Sequence, residues 1–128
     1  MQTIALVAVL VRDYDDAIGW YRDVLGFDLL EDTPQSPGRR WVRVGPPGGR
    51  GAALLLARAD TPEQVAAVGS QTGGRVGFFI VTDDFALDHG AMRDRGVRFL
   101  EAPRNEPYGT VAVFEDLYGN RFDLIEPA

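Results

Sequence analysis

Residues 11–31 read VRDYDDAIGWYRDVLGFDLLE, and residues 81–101 read VTDDFALDHGAMRDRGVRFLE. At a constant offset of 70, Val11 pairs with Val81, Asp13 with Asp83, Gly26 with Gly96, Leu30 with Leu100 and Glu31 with Glu101. Each copy follows an apolar run, Ile4–Val11 or Val76–Val81. Each has an Asp where a helix would start and a Gly where it would stop. A repeat of this length means two similar supersecondary units.

The pattern on either side of the quoted stretches completes each unit. Ile4–Val11 is β-branched and apolar on both faces, as in a buried strand. Asp13 suits an N-cap. Tyr14, Ala17, Ile18, Tyr21, Val24 and Leu25 then recur at helical spacing, and Gly26 suits a left-handed stop. Phe27–Leu30 returns as a strand, Thr33–Arg39 reads as a turn, and Arg40–Val44 and Ala52–Leu56 follow as strands about a loop at Pro46–Gly51. Thr61, Pro62 and Gln64 open a short linker helix. The second unit repeats the order: a strand at Val76–Val81, a helix at Asp83–Arg95, and strands at Val97–Leu100, Thr110–Phe114 and Arg121–Ile125. Ala102–Gly109 is expected to be a loop. The expectation is an α+β fold in one domain, 1–128, made of two βαβββ repeats (about 3–57 and 75–127). A linker with a helix at about 61–69 joins them. Packed together, two such curved mixed sheets would form a half-barrel cup, helices outside, with a concave face suited to a small molecule.

Composition narrows the chemistry. The chain has 128 residues, is 45% hydrophobic and carries a net charge of -6. That suits one compact domain. An acidic surface disfavours nucleic acid. No apolar run approaches the ~20 residues of a membrane helix, and the N-terminal run leads into an acidic helix start, unlike a signal peptide. A cytoplasmic location is therefore expected, with neither nucleic acid nor membrane as a partner. All 13 basic residues are Arg, so lysine Schiff-base and P-loop chemistry are excluded. Absence of Cys removes disulfides and thiolate sites. The single His, His89, lies on a helix between Phe85 and Met92 and reads as packing. With Ser36 or Ser70 it matches no nucleophile-elbow motif. Carboxylates, Arg, Tyr and backbone groups remain.

VRDYDDAIGWYRDVLGF (11–27) and FEDLYGNRFDLIEP (114–127) are similar to the opening and closing signatures of the vicinal oxygen chelate superfamily. This superfamily includes glyoxalase I, extradiol dioxygenases, fosfomycin-resistance enzymes and bleomycin-binding proteins. The resemblance covers nearly the whole chain. It implies metal-ligand positions, usually His and Glu, on the inner sheet face. Carried over one at a time, these fall on Leu6, on Val76 or Gly77, on Leu55 (or, less well, Leu54) and on Asp123. Only Asp123 can bind a cation, and one carboxylate is not a transition-metal site. No metal or other cofactor is therefore expected, and the family's metal-dependent lyase or dioxygenase chemistry becomes the alternative. The resemblance also implies a homodimer.

The candidate site residues follow from strand alternation. Phe122 and Leu124 should face the helices, and Arg121, Asp123 and Ile125 the cup. Asp123 is the first candidate base or ligand anchor, the competing reading being a plain ion pair with Arg121 or Arg43. Leu6, Ala8 and Leu10 should line the cup. Trp41 and Arg43 share a strand face suited to a planar or anionic ligand. Arg104, Glu106 and Tyr108 share one loop, where Glu106 is a second candidate acid or base and Tyr108 a proton donor. The expected function is binding of a small organic molecule, by sequestration or with acid–base catalysis at Asp123, Glu106 or Tyr108. Whether the chain is an enzyme stays open.

Overall fold

A computed structural model describes residues 1–128. The fold is α+β. The chain divides into two compact units, Met1–Gln71 and Thr72–Ala128. Each is a βαβββ unit with its own mixed sheet, although the second carries an additional short strand.

In the first unit, β1 (Leu6–Val11) leads to α1 (Tyr14–Gly19), followed by β2 (Asp28–Ser36), β3 (Arg39–Gly45), β4 (Ala53–Arg58) and α2 (Pro62–Ala67). The sheet order is β1-β4-β3-β2, with β1 parallel to β4 and the other pairs antiparallel. Asp13 caps α1 by accepting the Asp16 amide at 2.8 Å. Beyond Gly19 the helix widens into a π-type turn over Trp20–Val24 and stops at Gly26, whose φ of 90° only glycine adopts readily. Val9, Val11, Ala17, Tyr21, Val42, Val44 and Leu56 are fully buried. Alternate residues of β1, β3 and β4 thus form one apolar face under the helix. The free edge of β1 is partly covered: the Gln71 amide accepts from Leu10 N at 2.9 Å and donates to Ala8 O at 3.0 Å. One side chain there makes the bonds a neighbouring strand would make.

The second unit runs β5 (Val76–Val81), α3 (Phe85–Arg95), β6 (Arg98–Phe99), β7 (Arg104–Glu106), β8 (Gly109–Glu115) and β9 (Arg121–Pro127). The order is β5-β9-β8-β6, with β7 also on β8. Its core is aromatic. His89 lies 5.3 Å from Phe85 and 4.4 Å from Phe99, Phe99 lies 5.5 Å from Phe114, and Phe114 and Phe122 stack at 5.0 Å. Phe78 extends the run, stacking on Phe122 at 4.7 Å. His89 thus packs in a ring cluster, as its helical spacing suggested. Its Nε2 is buried without a partner, and burial, aided by Arg93, holds its pKa below 6.5.

Three local expectations need correction. The segment read as a turn from Thr33 is strand as far as Ser36, and only Pro37 and Gly38 turn. Pro34 is tolerated because β2 is an edge strand, where its missing N–H breaks no ladder bond. The supposed loop at Ala102–Gly109 contains β7, which hairpins back onto β8 through Pro107 and Tyr108. The cap of α3 is Asp84 and not Asp83: Asp84 accepts the Leu87 amide at 3.1 Å. The second copy has its extra residue inside β5, where the pairing with β9 shifts between Val76 and Phe78, and the cap is supported by Thr82. Its hydroxyl accepts the Asp84 amide at 3.0 Å and donates to Asp88 at 2.5 Å.

Candidate functional site

Asp123 sits in the middle of β9, beside Val113 of β8 and Phe79 of β5. Phe122 and Leu124, at 1% exposure each, are sealed in the core, so the Asp123 side chain lies on the opposite, helix-free face of the sheet. That is the face predicted from alternation. Neither ion pair weighed for it forms. Arg43 donates to Glu31 at 2.9 Å, and Arg121 stands exposed at the strand end beside Glu115. Asp123 Oδ1 is buried with no hydrogen-bond partner. Desolvation raises its pKa from the ordinary aspartate value; the nearby Arg104 charge opposes this and the Glu101 charge adds to it.

Arg104, Glu106 and Tyr108 do come together in this unit. Arg104 Nε donates to Glu101 at 2.5 Å, and its NH1 donates to Glu106 at 2.8 Å. Tyr108 adds a smaller contribution to those of Glu101 and Glu106 in raising the Arg104 pKa, so the guanidinium is held by two carboxylates with the phenol nearby. Arg104 is close enough to act on Asp123 through its charge but is committed elsewhere. Glu101 is the residue the sequence reading missed. Its second oxygen accepts the Val113 amide at 3.1 Å, so one carboxylate fixes Arg104 and tethers the chain to β8 beside Asp123. The Arg104 hydrogen bond and the Val113 amide hold Glu101 below its ordinary pKa. Its signal was the repeat itself, which pairs Glu101 with Glu31. Phe79 was missed too. It is 64% exposed beside Asp123, and Val81 on the same strand is 66% exposed.

The other predicted residues share a face of the first unit. Arg43 pairs in register with Leu55, and Leu55 with Ala8. Trp41 stands two residues from Arg43 and Leu6 two from Ala8, all half-buried or exposed while Val9, Val42 and Val44 on the other face are buried. Leu6, Trp41 and Arg43 therefore lie on the face away from α1. The Arg43 guanidinium is already paired to Glu31.

The paired rows also fix the correspondence between units. Leu55 lies between Arg43 and Ala8, as Asp123 lies between Val113 and Phe79. Leu6 pairs with Ala53 and Val76 with the matching Arg121, but β5 bulges between Val76 and Phe78, so Val76 and Gly77 share the place of Leu6. The metal positions implied by the family resemblance are then Leu6, Val76 or Gly77, Leu55 and Asp123, a single donor among them. No three His, Cys, Asp or Glu side chains are grouped so as to hold a metal ion. The donor set does not fit the family's metal centre.

Residues 3–124 match the family model described as the Glyoxalase/Bleomycin resistance protein/Dioxygenase superfamily. The chain belongs to that superfamily. An uncharacterized protein of Shewanella frigidimarina is 52% identical over 126 residues, covering 98% of this chain and 93% of its own. TnmS3, an antibiotic binding protein from Streptomyces sp. CB03234, superposes with a TM-score of 0.82 at 33% identity, covering 100% of this chain and 98% of its own. A glyoxalase/bleomycin resistance protein from the same Streptomyces superposes at 0.77 and 34% identity, covering 96% and 99%.

Proposed function

We propose that this chain binds a small organic molecule on the helix-free face that carries Asp123 and acts by sequestration, without a resident metal. The observation that carries this reading is the unpartnered buried oxygen of Asp123 beside the exposed ring of Phe79. A carboxylate left desolvated and unpaired costs stability, and a ligand N–H, O–H or cation would satisfy it. Phe79 and Val81 supply apolar surface for the ligand's body. Similarity to an antibiotic binding protein supports the same ligand scale. The elevated pKa of Asp123 favours one further reading, in which this carboxylate takes a proton from a bound substrate. Glu106 and Tyr108 then serve as secondary groups through Arg104. Trp41 and Arg43 are proposed as ligand contacts on the first unit's own helix-free face, with Leu6 as apolar lining there, and Arg121 as a contact at the end of the Asp123 strand. A homodimer and a cytoplasmic location complete the proposal; the exposed Phe79 and Val81 on edge strand β5 support association of two copies.

The test is a thermal-shift screen of structurally varied antibiotics, with and without Asp123→Asn, and elemental mass spectrometry on protein purified without nickel or chelator. A binder at about a hundred times its Kd adds about 2.7 kcal/mol, a shift of several degrees. The expected result is such a shift in the wild type, its loss in the variant and unchanged compound after incubation. Chemical conversion lost in Asp123→Asn would favour the acid–base reading. Near-stoichiometric transition metal would overturn the metal-free assignment.

A further inference from the structure

We propose that the first unit carries a second ligand site, for a small organic oxyanion, where the β2–β3 turn meets the end of β4. A concavity of about 370 Å³ lies there, lined by Tyr14, Pro34, Ser36, three arginines, Arg39, Arg40 and Arg58, and one carboxylate, Asp13, which is engaged by the Asp16 amide at the start of α1. That volume is at the lower end of small-molecule pockets. The site does not depend on the reading of Asp123.

The three arginines differ in what remains free on them. Arg40 is spent: it grips Asp32 through two bonds of 3.0 and 2.7 Å, reaches Asp15 at 2.9 Å and lies over the Tyr14 ring at 5.2 Å. It serves as a fixed wall. Its backbone amide donates to the Tyr14 hydroxyl at 3.2 Å, which pins the start of β3 to α1. Arg39 has one partner, Asp60, in a pair open to solvent. Exposed pairs of this kind are weak and exchange readily. Arg58 has no ion pair at all. Its guanidinium is nonetheless placed, because it lies against the turn: a methyl group added at Gly38 would stand 3.4 Å from its NH2. An acidic protein that leaves an arginine unpaired at the wall of a concavity keeps a planar fork of donors for an outside acceptor. The Ser36 hydroxyl adds another donor, and Tyr14 and Pro34 supply apolar wall for an organic body. Carboxylates and phosphate monoesters share the required chemistry, two or three oxygens arranged for bidentate guanidinium contact.

The test uses benzoate and phenyl phosphate, each titrated into 15N-labelled full-length protein, with sodium chloride at matched ionic strength as control. Saturable shifts are expected at the amides of residues 36–40 and at Arg58 Nε. Arg58→Gln should weaken binding about tenfold, the loss typical of one charge-assisted contact. Arg98→Gln, removing an exposed arginine of the other unit, should leave it unchanged. Asp60→Asn, which releases Arg39, should tighten binding. A response to phenyl phosphate alone identifies a phosphate ligand, and a response to benzoate alone a carboxylate. Shifts reproduced by chloride, absence of saturation with both probes, or equal affinity in wild type, Arg58→Gln and Asp60→Asn would overturn the proposal.

Discussion

The two units use one scaffold and put different chemistry on it. At matched sheet positions, Leu55 corresponds to Asp123, Arg43 to Val113, and Glu31 to Glu101. In the first unit Glu31 crosses to Arg43 on the adjacent strand, and the row beside them is apolar. In the second, the arginine position is Val113, and Glu101 turns to its backbone amide and to Arg104. Asp123 then has no cation bonded to its buried oxygen. The cores differ in the same sense. Val44 and Leu54 occupy the places of the stacked Phe114 and Phe122. Duplication preserved what makes the fold, the apolar faces and the helix ends, while the helix-free face diverged freely because sheet pairing does not depend on it.

The largest effect should come from breaking the aromatic core of the second unit. Phe122→Ala removes a ring at 1% exposure with two stacked neighbours and should cost about 3–5 kcal/mol in equilibrium urea unfolding. A cost below about 1 kcal/mol would mean the stack contributes little. Exchanging the matched pair comes next. Leu55→Asp places an unpaired carboxylate in the half-buried row of the first unit and should destabilise by about 1–3 kcal/mol. The reverse change, Asp123→Leu, removes a desolvated carboxylate and should be neutral or stabilising by about 1 kcal/mol at neutral pH, while abolishing ligand binding. Stabilisation with binding intact would remove Asp123 from the site.

How much of this was legible follows the physics of each signal. The strands and helices of the repeat were readable because burial imposes a period of two or of 3.6 residues. The side of the sheet for Asp123, Trp41 and Arg43 was readable for the same reason. The end of β2 and the whole of β7 were not, because Pro34, Pro103 and Pro107 signal turns, and edge pairing hides their cost. The one-residue slip at Asp84 was hidden because two adjacent aspartates serve a cap equally well in a sequence. The commitments of Arg104 are contacts between residues whose alignment depends on a hairpin that was itself not read. Glu101 was visible as a repeat partner, yet its tie to Val113 N needed the register of β8.

His89 offers a smaller effect with a defined sign. Its folded pKa lies below 6.5, so at acid pH the unfolded chain binds a proton the native state refuses. Its contribution is complete above about pH 6.5 and is lost as pH falls from there toward the folded pKa. His89→Phe should keep the ring packing against Phe85 and Phe99 and flatten this part of the stability–pH curve. The check is urea unfolding of both proteins at pH 7.5 and 5.5; an equal fall in both would assign the acid sensitivity to other groups.

The finest test concerns why Asp123 stays unpaired. Glu101 and Glu106 both bind Arg104, whose charge already pulls the Asp123 pKa down from a short distance. Glu101→Gln replaces a charged partner of Arg104 with a neutral one and removes a negative charge that raises the Asp123 pKa. Both changes favour ionised Asp123, and a loosened Arg104 would be drawn to it. The Asp123 pKa, followed by the 13C shift of its carboxyl carbon, should therefore fall relative to wild type. Glu106→Gln should lower it less, because Glu106 acts through its bond to Arg104 whereas Glu101 acts through Arg104 and through its own charge on Asp123. If the pKa of Asp123 is the same in Glu101→Gln and wild type, Glu101 is only a tether for β8 and burial alone sets the state of the carboxyl. If it falls and ligand binding weakens with it, the divergence of the second unit has a stated purpose: a carboxylate pair that occupies the nearest arginine so that Asp123 remains available to a ligand.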